Sequence, residues 1–435
     1  MSFASSTKNS ALLISEKIIV LGLSFFNSVL LARYAGPEIF GQFNYILSFA
    51  TLFLPFSAMG LNHVASKYFI KYPNNSHHYF ISALLIRALG SLLSIICCLI
   101  VSQFLTISDK DLALVFILLV FQCCSIFNLI EYFFLAKNKV FNTIKIRLFA
   151  YIFTGIIKAL IIINNADILW LILAHALEFL LIGMSYTFIY LHGKHHLKQK
   201  RPISIKTFYS FFHKGKWLLL STLSAIIYLK IDQIMLANMV NTKEVAFYAA
   251  AVKLSEFWYV FPVLIANAFN KQLVQQHSKS KNDYQQSIDR LLTLLVIASV
   301  VISCLTFFIA PYLVTFIYGD EYNKSASILI VHIFATLFIF QRAIYSKWLI
   351  IEKLYRFSLL SQGLGAVINV LLNLWLIPIY GGLGAAWASL FSYMAASYLS
   401  LFLSKKTLPF AISMSKAMLF WPYFIYQQTL RMKTL

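Results

Sequence analysis

Twelve times along its length the chain runs through about 20 or more mostly apolar residues, the length an α-helix needs to cross the hydrocarbon layer of a bilayer. The runs are residues 10–33, 41–65, 79–104, 112–136, 144–163, 168–191, 209–237, 244–274, 287–310, 325–351, 356–377 and 383–404. None alternates in the manner of a barrel strand, so each predicts a helix and the fold class is an all-α polytopic membrane protein. With 60% hydrophobic and 12% charged residues there is no material for a large soluble domain. The first run is followed by many others, which argues against a cleaved leader.

The net charge of +21 comes from basic residues set between the runs. Even-numbered loops and the termini hold most of them, as in "KNKVFNTIKIR" (137–147), "KHHLKQKR" (194–201) and "KSK" (279–281), whereas the odd-numbered loops hold Arg33, Lys110, Lys243 and Lys324. The positive-inside rule then predicts that both termini are cytoplasmic. Basic loops between membrane spans also remove the reason to expect a nucleic-acid partner. Cys97, Cys98, Cys123, Cys124 and Cys304 lie inside apolar runs, without metal spacing or a loop for disulfides, and read as packing residues.

The longest basic loop divides the chain into six spans and six spans: an N-terminal lobe over 1–200, a C-terminal lobe over 201–406, and an apolar and basic tail over 407–435, interfacial or docked. Laid on one another without gaps, residues 30–56 and 235–261 place Ala32 on Ala237 and bring Pro55 close to Pro262, each expected to kink an early helix of its half. The pattern is that of a parallel internal repeat with a cavity between the halves.

Some charges lie too deep to be flanks. "YLKIDQIMLA" (228–237) sets Lys230 and Asp232 in a run otherwise suited to lipid, where insertion scales charge roughly 2.5–3.5 kcal/mol for an ionised side chain at the centre of a helix. Arg87, Lys158, Lys253, Arg342 and Lys347 share this situation, as do the carboxylates of Glu16, Glu131, Glu178 and Glu256. Arg87 and Lys347 stand near enough to cytoplasmic helix ends to snorkel. Residues three apart share a helix face, so Lys253 can meet Glu256 and His175 can meet Glu178, while Lys230 and Asp232 point apart. Structural ion pairing between helices is one reading of the set. Cations outnumbering carboxylates is the argument for the other, a cavity suited to an anion such as phosphate or pyrophosphate.

Asp109-Lys110-Asp111 matches the DxD pattern of metal-dependent glycosyltransferases but sits in a short loop, and reads as a polar turn capping the fourth span. The pairs His77-His78 and His195-His196 lack matching ligands. No motif implies a cofactor, a metal or an enzyme's nucleophile.

Four segments in order, "LLARYAGPEIFGQFNYILSFATLF", "YLKIDQIMLANMVNTKEVAFYAAAVKLSEFWYVFPVLIANAF", "IYGDEYNKSASILIVHIFATLF" and "IPIYGGLGAAWASLFSY", resemble the O-antigen and polysaccharide repeat-unit flippases (Wzx) of the superfamily that also holds the multidrug and toxin extrusion (MATE) transporters and the lipid II flippases. The resemblance implies a V-shaped, twelve-helix transporter of the bacterial inner membrane, moving an undecaprenyl-pyrophosphate-linked oligosaccharide to the periplasmic leaflet without covalent chemistry. Its implied partners are that lipid-linked substrate, membrane lipids, a polysaccharide polymerase and chain-length proteins. The family's cationic lumen would fall to Lys158, Lys230, Lys253, Arg342 and Arg87, and ion coupling to Asp232, Glu256, Glu178 and Glu131. The rival readings are a small-molecule antiporter of the same fold and, from another class, an O-antigen polymerase or lipid-linked glycosyltransferase. The last needs a larger outer loop than any present.

Overall fold

In a computed structural model, residues 3–137, 139–193 and 205–433 are described, and among them every regular element is helical. His195 and His196, with the basic stretch 194–201, fall outside the described residues. In chain order the α-helices are α1 (Phe3–Leu52), α2 (Leu54–Ala58), α3 (Leu61–Lys71), α4 (Ser76–Ser102), α5 (Asp109–Gln122), α6 (Leu129–Ala136), α7 (Val140–Ile163), α8 (Ile168–His192) and α9 (Ile205–Met239). They continue as α10 (Thr242–Glu256), α11 (Val260–Lys279), α12 (Lys281–Tyr318), α13 (Lys324–Ile333), α14 (Thr336–Ile351), α15 (Tyr355–Tyr380), α16 (Gly382–Ser397) and α17 (Leu408–Lys433).

Ten stretches of the described residues are long and apolar enough to cross a membrane, and α13 with α14, bent by 41° at Phe334-Ala335, makes an eleventh. One of the ten, Leu12–Ala58, is 47 residues long, about twice what a bilayer takes at 1.5 Å per residue. Gly36 divides it: its φ of 75° and ψ of 174° are non-helical, a conformation open to glycine at little cost, and Pro37 restarts the helix. Two crossings result, and the total is the twelve the apolar runs predict. Short polar caps begin several spans. Ser108 accepts from the Asp111 N–H at 3.1 Å, Asp167 from the Leu169 N–H at 3.0 Å and Ser280 from the Asp283 N–H at 3.3 Å, satisfying donors that the first turn of a helix leaves open.

Both prolines singled out in the sequence sit at helix breaks. A ring at position i removes the bond to carbonyl i−4 and crowds it. Before Pro55 the ladder tightens, Phe53 N–H bonding Ala50 O at 3.2 Å, and α2 ends five residues on at Met59 and Gly60, both left-handed. Pro262 follows a 3₁₀ turn at Phe257–Tyr259 that separates α10 from α11.

By contacts the chain forms two compact units, Met1–Ala246 and Phe247–Leu435. The halves suggested by the sequence meet near residue 200, so α9 opens the second half of the chain but packs with the first unit. Several contacts hold α9 there. Ser48 donates to the Gln233 side chain at 2.7 Å, and the Asn238 side chain accepts from the Thr106 N–H at 2.9 Å. At the other end of α9, Gly215 crosses the break between α2 and α3: a Cβ on Gly60 would strike the Gly215 oxygen, and one on Gly215 would lie 2.5 Å from the Met59 oxygen. Phe69, Phe80, Phe133, Tyr190 and Phe211 fill the core beside this crossing.

The second unit has its own core, in which Tyr284, Leu292 and Leu295 of α12 meet Phe340, Tyr345 and Trp348 of α14. Helix α17 contributes Phe410, Ala411, Met414 and Ala417, spaced as one helical face and all buried in that core. The tail is thus docked along this face, while Leu419 and Phe420 are exposed. Helices α15 and α16 pack closely at Gly384, where a Cβ would strike the Leu376 oxygen, and at Ser392, which meets Asn369.

The Gly60–Gly215 crossing generates a test. Gly215→Ala is expected to lower the melting temperature of the purified protein, since overpacking costs about 1–3 kcal/mol, whereas Gly22→Ala, whose Cβ would meet nothing within 4 Å, leaves it unchanged. Equal melting of the two variants would show that the backbones do not approach this closely.

Candidate functional site

Helix α7 carries Arg147, Tyr151, Thr154 and Lys158 at the i, i+4, i+7, i+11 spacing that lines one face of a helix. In lipid such a polar stripe must turn toward protein, and here it faces the interior of the first unit. Arg147 meets Glu131 of α6 at 2.7 Å through one terminal nitrogen and Glu16 of α1 at 2.6 Å through the other. Glu16 is 3% exposed. An ionised carboxylate is retained at such burial only when paired, and one guanidinium fork supplies both carboxylates at once.

About 16 Å further along the same face, at 1.5 Å per residue, Lys158 bonds Glu178 of α8 at 2.9 Å and approaches the His175 ring at 3.1 Å. Glu178 is also reached by the Thr154 hydroxyl at 3.4 Å and lies 3.8 Å from His175, the i, i+3 contact expected from the sequence. Two ionic clusters therefore lie along α7, joining α1, α6 and α8. Arg87 of α4, 2% exposed, donates from Nε to the Ser57 carbonyl at 3.1 Å.

The remaining sequence-derived residues lie elsewhere. Lys230 and Asp232 are on α9, Lys230 half-buried and Asp232 buried. Lys253 and Glu256 are half-buried at the end of α10, just before the 3₁₀ break. On α14, Arg342 donates to the Ala396 carbonyl at 2.8 Å and lies over the Tyr345 ring at 5.5 Å. The structure joins two residues to which the family resemblance assigns separate roles, Lys158 for an anion and Glu178 for ion coupling, and gives Glu131 an arginine partner.

Arg147 is the member that the sequence reading missed, having counted it among the cytoplasmic flanks. It stands two turns inside α7, and its periodic spacing with Tyr151, Thr154 and Lys158 was the available signal. Asp109 and Asp111 form no metal site: Asp111 accepts from Gln42 at 2.6 Å and from Ser108 at 2.8 Å, in the first turn of α5. Among the described residues no cluster of His, Cys, Asp and Glu has the arrangement to hold a metal ion.

The second unit's interior is polar but neutral around His332. That ring is 1% exposed and edge-on to Tyr248 and Tyr393, and the Tyr248 hydroxyl lies 2.8 Å from that of Ser389. Asn369 bridges the Ser392 hydroxyl at 3.4 Å and Asn373 at 3.2 Å.

A family model described as "Polysaccharide biosynthesis protein" matches residues 6–269, more than half of the chain, and a second, described as "MatE", matches residues 218–375. Among solved structures, the lipid II flippase MurJ in an inward closed conformation superposes with a TM-score of 0.69 at 18% identity, covering 96% of this chain and 92% of its own. An inward-facing multidrug resistance MATE transporter gives 0.67 at 12% identity over 92% and 96%, and the eukaryotic MATE transporter AtDTX14 gives 0.57 at 14% over 95% and 99%. At these identities the likeness is one of fold. A search of curated proteins finds no match.

If the Arg147 clamp is what permits two buried carboxylates, Arg147→Leu should destabilise the purified protein by roughly 3–5 kcal/mol, the cost of leaving charge buried without its partner. Replacing Glu16 and Glu131 by Gln in the same chain should return most of the loss. Thermal unfolding in detergent reads both variants, and a wild-type melting point for Arg147→Leu would refute the clamp.

Proposed function

We propose a transport function from one premise: the chain belongs to the polysaccharide biosynthesis protein family. The proposed activity is that of a flippase, carrying an undecaprenyl-pyrophosphate-linked oligosaccharide from the cytoplasmic to the periplasmic leaflet of a bacterial inner membrane, with both termini cytoplasmic. The observation that carries this reading is the family match together with twelve spans and a fold shared with a protein named as a lipid II flippase, itself acting on a lipid-linked substrate. The physical task suits such a chain. Sugar hydroxyls lose several kcal/mol each on entering hydrocarbon unpaired, so the head group must travel in a polar passage while its lipid tail stays in the bilayer. Alternating access achieves this without a covalent step.

Within this reading the chain's own charges divide by their surroundings. Lys158 and Arg147 are held by carboxylates and position helices. Lys230, half-buried on α9, is assigned to the pyrophosphate, and the buried Asp232 of the same helix to an ion gradient. The match of residues 218–375 to the MatE model supports a second reading, a small-molecule antiporter. The excess of cations over carboxylates favours the anionic lipid over the cationic substrates such an antiporter would move.

Reconstitution separates the two. Liposomes bearing a lipid-pyrophosphate-linked oligosaccharide are treated with an impermeant sugar-modifying enzyme, and the protein is expected to expose substrate otherwise protected. Protein-dependent movement of a cationic dye, with none of the lipid-linked sugar, would decide for the antiporter. In the same assay Lys230→Ala is expected to lower the rate at least tenfold while Lys230→Arg retains part of it; equal rates for both would remove Lys230 from the pyrophosphate site.

A further inference from the structure

One end of the first unit collects positive charge. The end of α3 carries Lys67 and Lys71, and the start of α9 carries Lys206, Lys214 and Lys216. All but Lys216 are exposed. The sequence has no Asp or Glu between Glu38 and Asp109 or between Glu178 and Asp232, so α3, α4 and the first turns of α9 bring no carboxylate. Among the described residues none of these lysines takes part in a salt bridge.

What they meet instead is aromatic. The Tyr68 ring lies 4.8 Å from Phe211, 5.0 Å from Tyr79 and 6.0 Å from Tyr72, which fixes α3, α4 and α9 against one another. Lys214 bonds the Tyr68 hydroxyl at the edge of that ring. Lys71 lies 5.1 Å from the centre of the Tyr72 ring. A phenol hydroxyl accepts from an ammonium group without cancelling its charge, so the tyrosines position Lys214 and Lys71 and leave them positive. Beside them, Ile70, Tyr209, Phe212 and Trp217 are exposed apolar surface. Tyrosine and tryptophan favour the boundary between head groups and acyl chains. The surface therefore has an apolar side suited to lipid tails and, next to it, exposed ammonium groups suited to lipid head groups.

We propose that the cluster of Lys71, Lys214 and Lys206 on the Tyr68–Tyr79–Phe211 platform is a binding site for the phosphodiester head group of an anionic membrane phospholipid. Lys206, Ser210 and Lys214 follow one another at four-residue steps and so rise along one side of α9, facing the end of α3 through the Tyr68 ring. A phosphate placed there receives ammonium groups from both helices and bridges them. The leaflet surface supplies such groups at high density and rewards each nearby lysine. This site stands apart from the transport reading and requires only that the chain lie in a bilayer.

The test uses the full-length protein, stripped of lipid in detergent and mixed with micelles containing phosphatidylglycerol or phosphatidylcholine, with bound lipid counted by native mass spectrometry. Wild type is expected to retain phosphatidylglycerol at roughly tenfold lower lipid concentration than phosphatidylcholine. The double variant Lys71→Gln, Lys214→Gln should lose that preference, and Lys71→Arg, Lys214→Arg should keep it. Both residues are exposed, so the variants are expected to fold, and an unchanged melting point verifies it. Equal retention of the two lipids by wild type, or an unchanged preference in the Gln variant, overturns the proposal. Displacement of phosphatidylglycerol by a polyprenyl pyrophosphate at lower concentration, with the same lysine dependence, also overturns it, by assigning the site to a transported substrate.

Discussion

Hydrocarbon offers a charged side chain nothing, and the first unit is arranged around that fact. Glu16, Glu131 and Glu178 come from α1, α6 and α8, and each is answered by a cation from a single face of α7. The helix that carries the stripe is thereby fixed in rotation: turning it would expose Lys158 and Arg147 to lipid together. Apolar packing between membrane helices lacks the driving force it has in water, so a few ionic contacts of defined geometry specify which helix faces which. Arg87, donating to the Ser57 carbonyl, ties α4 to α2 just before α2 gives way to α3.

The spans were legible in the sequence because bilayer thickness sets a length that composition alone reveals. The run at 168–191 is helix Ile168–His192, and the run at 356–377 ends within the same turn as Tyr380. The breaks were legible where proline forces them, at Pro55 and Pro262. The gap between the runs ending at 33 and beginning at 41 was legible, but the sequence could not show that a single non-helical residue, Gly36, makes the division.

Partnerships were harder to read. Arg147 looks like any basic residue at the start of a span, and only Glu16, 131 residues away, distinguishes a buried clamp from a snorkelling flank. His175 and Glu178 were legible as neighbours because one helix turn joins them, while Lys158, on a different helix, was not. The place of α9 was hidden for a related reason. Counting spans and loops divides the chain at its longest basic connection, but the division by contacts follows the Gly60–Gly215 crossing and the side chains of Ser48, Gln233 and Asn238.

The packing of α9 with the first six spans has a consequence for biogenesis. A membrane protein emerges from the ribosome in order, and its first unit cannot be finished until every helix it needs has been made. Here the groove formed by the Met59-Gly60 break, Tyr68 and Ser48 is filled by α9, which follows the first six spans in the chain. The seam closes only once α9 has been made, so the helix that opens the second half of the sequence is in assembly the last helix of the first unit.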